Sequence, residues 1–235
     1  MKNFFITGTD TDVGKTFVTC ALIEAFAARG TRVVPMKPVA AGTINIHGVV
    51  MNADVAVLRE ISGTQAALAD INPYCFPEPI APHLAAKHEK RVVDLQVIRA
   101  AFDRLNADAD TVLVEGAGGF LVPLSDNQSM AEIPSVLALD VILVVGMRLG
   151  VLNHALLTVE AIRSRGLTLR GWVANTAVKN PLMLAFDENI ATLLRMIDAP
   201  LLGIVPYDAQ ATDKLDSARR ASTFLNIDKL IMGNP

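Results

Sequence analysis

Cysteine is nearly absent. Cys20 and Cys75 are the only two in 235 residues, so there is no disulfide framework and no C-x-x-C metal or redox motif. Aromatic residues make up only 5% of the chain against 51% hydrophobic overall, which calls for an aliphatic core. No block of basic residues occurs and the formal net charge is −3. That excludes an electrostatic footprint for nucleic acid. The longest apolar run, residues 141–145, is flanked by Asp140 and Arg148 and is too short to cross a bilayer. Only three apolar residues, Phe4 to Ile6, separate the first lysine from Thr7, far fewer than a signal peptide needs. These shortages predict a soluble protein of a reducing, cytoplasmic compartment, with neither nucleic acid nor membrane as partner.

Alternation takes the place of what is missing. Strand-like apolar runs fall at residues 3–7, 32–36, 111–115, 141–146, 169–175 and 201–205. Helical patterns fall at 15–29, 54–61, 94–105, 153–165, 185–196 and 212–224. In the first helix, Phe17, Cys20, Ala21, Ile23, Glu24 and Ala27 give a broad, mostly apolar stripe that ends near Gly30. Continuous apolar runs mark strands buried on both faces. Their alternation with helices predicts one α/β domain over residues 1–235, a mostly parallel sheet with helices on both faces. Pro73, Pro77, Pro79 and Pro82 exclude a helix from segment 72–82, which reads equally as a connector or as the rigid wall of a pocket.

Residues 6–17 read Ile-Thr-Gly-Thr-Asp-Thr-Asp-Val-Gly-Lys-Thr-Phe. Strand, Gly-containing turn and helix start follow one another, the order of parts in a phosphate-binding loop. Glycine lets backbone N–H groups turn toward an anion. The helix start adds unpaired donors and a positive dipole end. Lys15 supplies a point charge, and the Thr16 hydroxyl is able to ligate Mg²⁺. The usual spacing is G-x-x-x-x-G-K-[ST]; here five residues separate Gly8 from Gly14 and the strict first position is Thr9. The sheet is therefore of the P-loop NTPase type, on a divergent branch.

Ligands of open α/β sheets sit beyond the carboxyl ends of the strands, so the polar residues there matter most. Lys37, held by Pro38 at the end of one run, points into the crevice or snorkels at the surface. Glu115 ends another run before Gly116, Ala117, Gly118 and Gly119; burial there requires a cation, and Mg²⁺ shared with Thr16 would serve. Asp54 opens a helix and suits either a helix N-cap or a metal ligand. His83 and His88 are five apart and do not share a helix face, and His47 and His154 have no partners at ligand spacing. Met130, Met147 and Met183 read as packing residues.

These residues resemble one family, the ATP-dependent dethiobiotin synthetases. The similarity runs through Gly8 to Thr16, Lys37-Pro-Val-Ala40 with Gly42, Asn52-Ala-Asp54, Asn72-Pro73 and Val114-Glu-Gly-Ala-Gly-Gly119. It continues through Pro123-Leu-Ser-Asp126, Val141-Ile-Leu-Val-Val-Gly146, Leu149-Gly150 with Asn153-His-Ala155, Gly171-Trp-Val-Ala-Asn175, and Ala199-Pro-Leu-Leu-Gly203 with Pro206. The resemblance implies closure of a ureido ring on 7,8-diaminopelargonic acid with ATP, Mg²⁺ and CO₂, through a carbamate and a carbamic–phosphoric anhydride. It implies catalytic roles for Lys37 and Lys15. ATP would be held by Asp12, Val13, Gly14, Lys15, Thr16 and Phe17, by Asp54, Glu115, Gly116, Ala117 and Gly118, and around adenine by Asn175, Thr176, Pro206, Tyr207 and Asp208. Mg²⁺ would sit on Thr16, Asp54 and Glu115. Thr11, Lys37, Ala41 and Gly118 would border the diamine, whose carboxylate would meet Leu152 and Asn153 across a homodimer interface.

Two departures stand out. Many members carry Glu where this chain has Asp12 and Ser where it has Ala41. A partitioning or assembly ATPase of the same broader class is the main rival, but its second lysine, early in the loop, is replaced here by Asp10. Residues 227–235 are also too short for the basic amphipathic membrane helix that some of these ATPases use. An amide synthetase of the cobyrinic-acid type would need a glutaminase domain. A nucleotide-binding module without catalysis would not need Lys37 and Glu115.

Overall fold

The computed structural model describes residues 2–176, 183–210 and 213–231. In chain order the elements are β1 (Phe4–Gly8), α1 (Lys15–Ala27), β2 (Val33–Met36), β3 (Val39–Ala41), β4 (Ile44–Ile46), β5 (Val49–Met51), α2 (Ala53–Ser62), α3 (Leu68–Ile71), β6 (Tyr74–Phe76) and α4 (Pro82–His88). There follow α5 (Leu95–Ala107), β7 (Thr111–Glu115), α6 (Glu132–Leu137), β8 (Asp140–Gly146), α7 (Val151–Arg163), β9 (Leu169–Asn175), α8 (Phe186–Met196), β10 (Leu201–Val205), α9 (Lys214–Ser222) and α10 (Asp228–Ile231).

Six strands form one sheet in the order β10-β9-β8-β1-β7-β2, with every pairing parallel. After β1 the chain first builds toward β2 and β7, then crosses to β8 and continues outward on the other side. The strand order therefore reverses at β1, the place where open α/β sheets bind their ligands. Side chains alternate between the two faces. Phe4, Ile6, Leu113, Ile142, Val144 and Val173 join the core under α1, α9 and α10. Phe5, Val112, Val114, Val141, Leu143, Val145 and Trp172 join the core under α5, α7 and α8.

All six strands expected from the apolar runs are present, within a residue of the expected ends. Four short strands were not legible. β3 pairs with β6 in parallel, and β4 with β5 as an antiparallel hairpin. α3, α4, α6 and α10 are likewise additions. Two expectations need correction. Pro82 does not lie outside a helix but opens α4 at its first turn, where the missing N–H is not needed. The apolar face of α1 is not a stripe. Val18, Cys20, Ala21, Leu22, Ile23, Ala25 and Phe26 are all buried, because α2 and α9 flank the helix above the sheet, while Ala27 is exposed. The last long helix begins at Lys214 and is capped by Asp213, whose carboxylate accepts from the N–H groups of Leu215 and Asp216; Thr212 lies outside the described residues. So do residues 232–235 of the terminal segment.

Met130 and Met147 are buried in the core, and Met183 packs against it. Among the described residues no helix is long and apolar enough to cross a membrane. Gly203 of β10 allows a close approach: a Cβ there would stand 2.1 Å from the Phe224 carbonyl oxygen. Gly203→Ala should therefore lower the unfolding free energy by roughly 1–3 kcal/mol, the usual cost of overpacking, read as a shift of the urea midpoint.

Candidate active site

Parallel pairing puts the carboxyl ends of β1, β2, β7, β9 and β10 on one edge of the sheet. Register then decides who meets whom. Ile6 of β1 is level with Glu115 of β7, and Met36 of β2 is level with Val114. The next residue, Lys37, therefore arrives beside Glu115. The Lys37 backbone is held in that place by Ile71 O, which accepts its N–H at 2.8 Å, and by the Asn72 side chain, which donates to its carbonyl at 2.6 Å.

Lys37 is 4% exposed and Glu115 fully buried. The Lys37 ammonium lies 2.6 Å from Glu115 Oε1 and 2.9 Å from Asp54 Oδ2. Thr16 donates its hydroxyl to the same Glu115 oxygen at 2.7 Å. Burial works against the ammonium, yet the Glu115 and Asp54 carboxylates outweigh it and hold the Lys37 pKa above the ordinary lysine value. Burial likewise opposes the Asp54 carboxylate, but Lys37, with help from the Thr16 hydroxyl, holds its pKa below the ordinary aspartate value. Lys15 goes the other way: burial dominates, only partly offset by Glu115, and its pKa is lowered.

The phosphate loop leads into α1 through Gly14, whose φ of 87° is left-handed, a conformation glycine adopts without a Cβ penalty. Asn175 Nδ2 donates to the Val13 carbonyl at 2.8 Å, and a Cβ on Gly14 would stand 2.2 Å from that nitrogen. Among the described residues no side chain caps α1, so its first N–H groups stay available to an anion. The Lys15 ammonium reaches back across the loop to Asp10 O at 3.0 Å. Asp12 is also left-handed, with φ 58°, a conformation Asp tolerates better than most non-glycine residues. Asp10, in place of the rival class's second lysine, is paired with Arg148.

A cleft of roughly 1180 Å³ opens over this edge. Its walls carry Thr11, Asp12, Gly14, Lys15, Thr16, Phe17, Lys37, Ala41, Asp54, Glu115, Ala117, Gly118, Asn175, Thr176, Pro206, Tyr207 and Asp208. Four expected residues do not line it. Val13 is buried beneath the loop. Gly116 is packed where a Cβ would stand 2.9 Å from the Phe5 ring. Leu152 and Asn153 lie at the start of α7, away from these walls. Of the two alternatives for Asp54, the N-cap falls instead to Asn52, whose side chain accepts from the Asp54 N–H, so the Asp54 carboxylate is left to face Lys37. The proline segment is a pocket wall: Pro79, Ile80, Ala81 and Pro82 all line the cleft. Sequence reasoning assigned no role to Asn52, Lys214 or Ser217, which also line it. The Asn-Ala-Asp string was the only signal for Asn52, and Lys214 and Ser217 reach the cleft only because α9 folds over α1.

A parallel sheet that reverses at its phosphate-loop strand, with an acidic strand end facing a Gly-Lys-Thr helix start, defines a P-loop nucleotide-binding α/β protein. Solved structures share this fold. MinD cell division protein of Aquifex aeolicus has a TM-score of 0.61 at 13% identity, covering 100% of this chain and 99% of that one. The ParA family ATPase from Chlorobium tepidum TLS has a TM-score of 0.53 at 14% identity, covering 98% and 96%. A family model described as an AAA domain (AAA_26) matches residues 2–214. Sequence relatives narrow the class. The ATP-dependent dethiobiotin synthetase BioD of Aromatoleum aromaticum is 54% identical, covering 89% of this chain and 92% of its own length. That of Nitrosospira multiformis is 49% identical over 99% and 98%, and BioD 1 of Escherichia coli K12 is 46% identical over 89% and 92%. The chain belongs to the ATP-dependent dethiobiotin synthetase family.

Lys37→Met should leave Glu115 buried without its cation. Breaking such a pair costs about 3–5 kcal/mol, measurable by urea unfolding in metal-free buffer. The stability contributed by Asp54 is complete above the ordinary aspartate pKa of 3.8 and is lost as pH falls through the lower folded value. Asp54→Asn should therefore flatten the fall of the urea midpoint with pH below 3.8.

Proposed function

We propose that the protein catalyses the ATP-dependent carboxylation and ring closure of 7,8-diaminopelargonic acid to dethiobiotin, as a cyclo-ligase of biotin synthesis. One observation carries the reading physically: Lys37, from a separate strand, stands in the same cleft as the phosphate loop and its acidic partners. Family membership supplies the substrate class. The likeness to MinD and ParA proteins is one of fold alone.

The chemistry follows from what each group is able to do. One amine of the diamine adds to CO₂ and forms a carbamate. A carbamate oxygen attacks the γ-phosphorus of ATP, and ADP departs. The second amine attacks the carbonyl of the resulting anhydride, phosphate leaves, and the ureido ring closes. The protein's task is positioning and charge stabilisation. The N–H groups at the start of α1 and the Lys15 ammonium bind the phosphates. Lys37, kept protonated by its carboxylates, neutralises charge between carbamate and γ-phosphate. Thr11, Ala41 and Gly118 border the diamine. Asn175 Oδ1 is buried and has no hydrogen-bond partner among the described residues, which suits it to accept from the adenine amino group. Thr176, Pro206, Tyr207 and Asp208 line the base.

The residues present also fit Mg²⁺. Thr16, Asp54 and Glu115 offer only oxygen donors, the set a hard cation takes. Glu115 Oε2 is buried and, among the described residues, lacks a hydrogen-bond partner. These three side chains would hold the ion, which when bound neutralises phosphate charge and polarises the transferred phosphoryl group. Leu152 and Asn153, away from their own cleft, fit a homodimer in which they serve the partner's site; Leu149 beside them is 93% exposed. The unpaired Cys20 and Cys75 suit a reducing cytoplasm.

Phosphate release should depend on the diamine, and label from bicarbonate should enter a ureido product. ATP hydrolysis indifferent to the diamine would overturn the reading. With saturating Mg·ATP, Lys37→Met should bind nucleotide within a few-fold of the parent and lose at least about a hundredfold in turnover, the scale for removing one transition-state donor. Ala41→Ser should tighten the diamine dissociation constant by up to about tenfold, the equivalent of one neutral hydrogen bond; an unchanged constant would discard that role.

A further inference from the structure

Asn52 precedes α2, is 7% exposed and lines the cleft. Its side chain makes three hydrogen bonds in two directions. Oδ1 accepts from the Asp54 N–H at 3.0 Å. Nδ2 donates to Ala41 O at 3.2 Å and Gly42 O at 2.9 Å. The network sets the amide orientation, since two carbonyls face the nitrogen and an N–H faces the oxygen. These bonds close the root of the β4–β5 hairpin, whose two ends are the Ala41–Gly42 turn and Asn52 itself.

The turn is held from both sides. The Gly42 N–H donates to Phe76 O at 2.9 Å and to Glu78 O at 3.1 Å, and the Thr43 N–H to Pro77 O at 3.3 Å. Those carbonyls belong to the end of β6 and to the two residues that lead into the cleft wall at Pro79–Pro82. Asn52 takes the opposite, carbonyl side of the same turn. The turn is thus clamped between the proline wall and the cap of α2. Asp54, whose N–H completes that cap, sits in the first turn of α2 with its carboxylate against Lys37.

We propose that Asn52 is a positioning residue that couples the diamine side of the cleft to the Mg·ATP side. One amide holds the Ala41–Gly42 backbone where the diamine lies and orients Asp54 where the nucleotide's cation lies. Only an uncharged amide provides an acceptor for the cap and two donors for the turn. Serine keeps the cap but replaces the two amide donors with a single hydroxyl on a shorter side chain, so the two halves of the role are separable by substitution. This rests on the ring-closing function proposed above.

The test compares Asn52→Ser, which keeps the cap, with Asn52→Ala, which removes both arms. Asn52→Ser should raise the KM for the diamine at least fivefold and leave the KM for Mg·ATP within twofold. Asn52→Ala should raise both. Amide hydrogen exchange on the same proteins should quicken across residues 41–51 in the serine variant, with 53–58 unchanged, and quicken across both in the alanine variant. Should the serine variant not fold, Asn52→Thr, which keeps a capping hydroxyl and lacks the amide donors, makes the same separation. Equal shifts of the two KM values in the cap-keeping variant, or no shift in either, would overturn the coupling. A parent protein that makes no dethiobiotin would instead overturn the function, and the exchange pattern would still report on the two arms of Asn52.

Discussion

A buried ion pair organises this molecule. Lys37 follows the last residue of β2 and Glu115 ends β7, its neighbour in the sheet, and the two meet at 2.6 Å with both side chains withdrawn from solvent. Either charge alone would be costly at that depth. Together, with Asp54 and the Thr16 hydroxyl, they form a polar floor at the carboxyl edge of an otherwise aliphatic sheet. The floor is electrically poised: two carboxylates keep Lys37 charged, while Lys15 nearby is pushed toward its neutral form. An arriving polyanion favours the protonated form of both lysines.

The floor depends on the parallel sheet beneath it. Because each strand runs the same way, the residues that end the apolar runs collect on one edge without any long-range pairing of their own. Because strands alternate sides at every residue, two hydrophobic cores hold the sheet rigid from above and below. The phosphate loop is supported in turn by Asn175 from β9, whose amide binds the Val13 carbonyl and leaves no space for a side chain at Gly14. One buried asparagine thus ties the phosphate loop to the end of β9, just as Asn52 ties the Ala41–Gly42 turn to the start of α2.

Legibility followed burial. Strands such as β7, Thr111–Glu115, were readable because every residue is buried and the apolar run is unbroken. β4 and β5 were not, since Ile44, Val49 and Val50 are substantially exposed and the run around them is polar. β6 escaped notice inside the proline segment because three residues carry too little periodicity to register. The stripe expected on α1 failed for a tertiary reason: two further helices cover the faces that a surface helix would leave wet. Of the site, the loop, Lys37 and Glu115 announced themselves as polar residues at strand ends. Asn52 did not, because its importance lies in two carbonyls ten and eleven residues back in the chain.

Composition and pattern alone determined a sheet of buried strands wrapped in helices, a phosphate loop at its first turn, and the identity of the charged residues at the strand ends. These are local properties, written in apolar run lengths and glycine placement. Tertiary structure alone decided that Asp54 faces Lys37 rather than capping its own helix, that Leu152 and Asn153 stand away from their own cleft, and that one amide ties the Ala41–Gly42 turn to α2. Those outcomes are set by strand register and by competition among distant groups for the same hydrogen bonds, and neither is a property of any single stretch of chain.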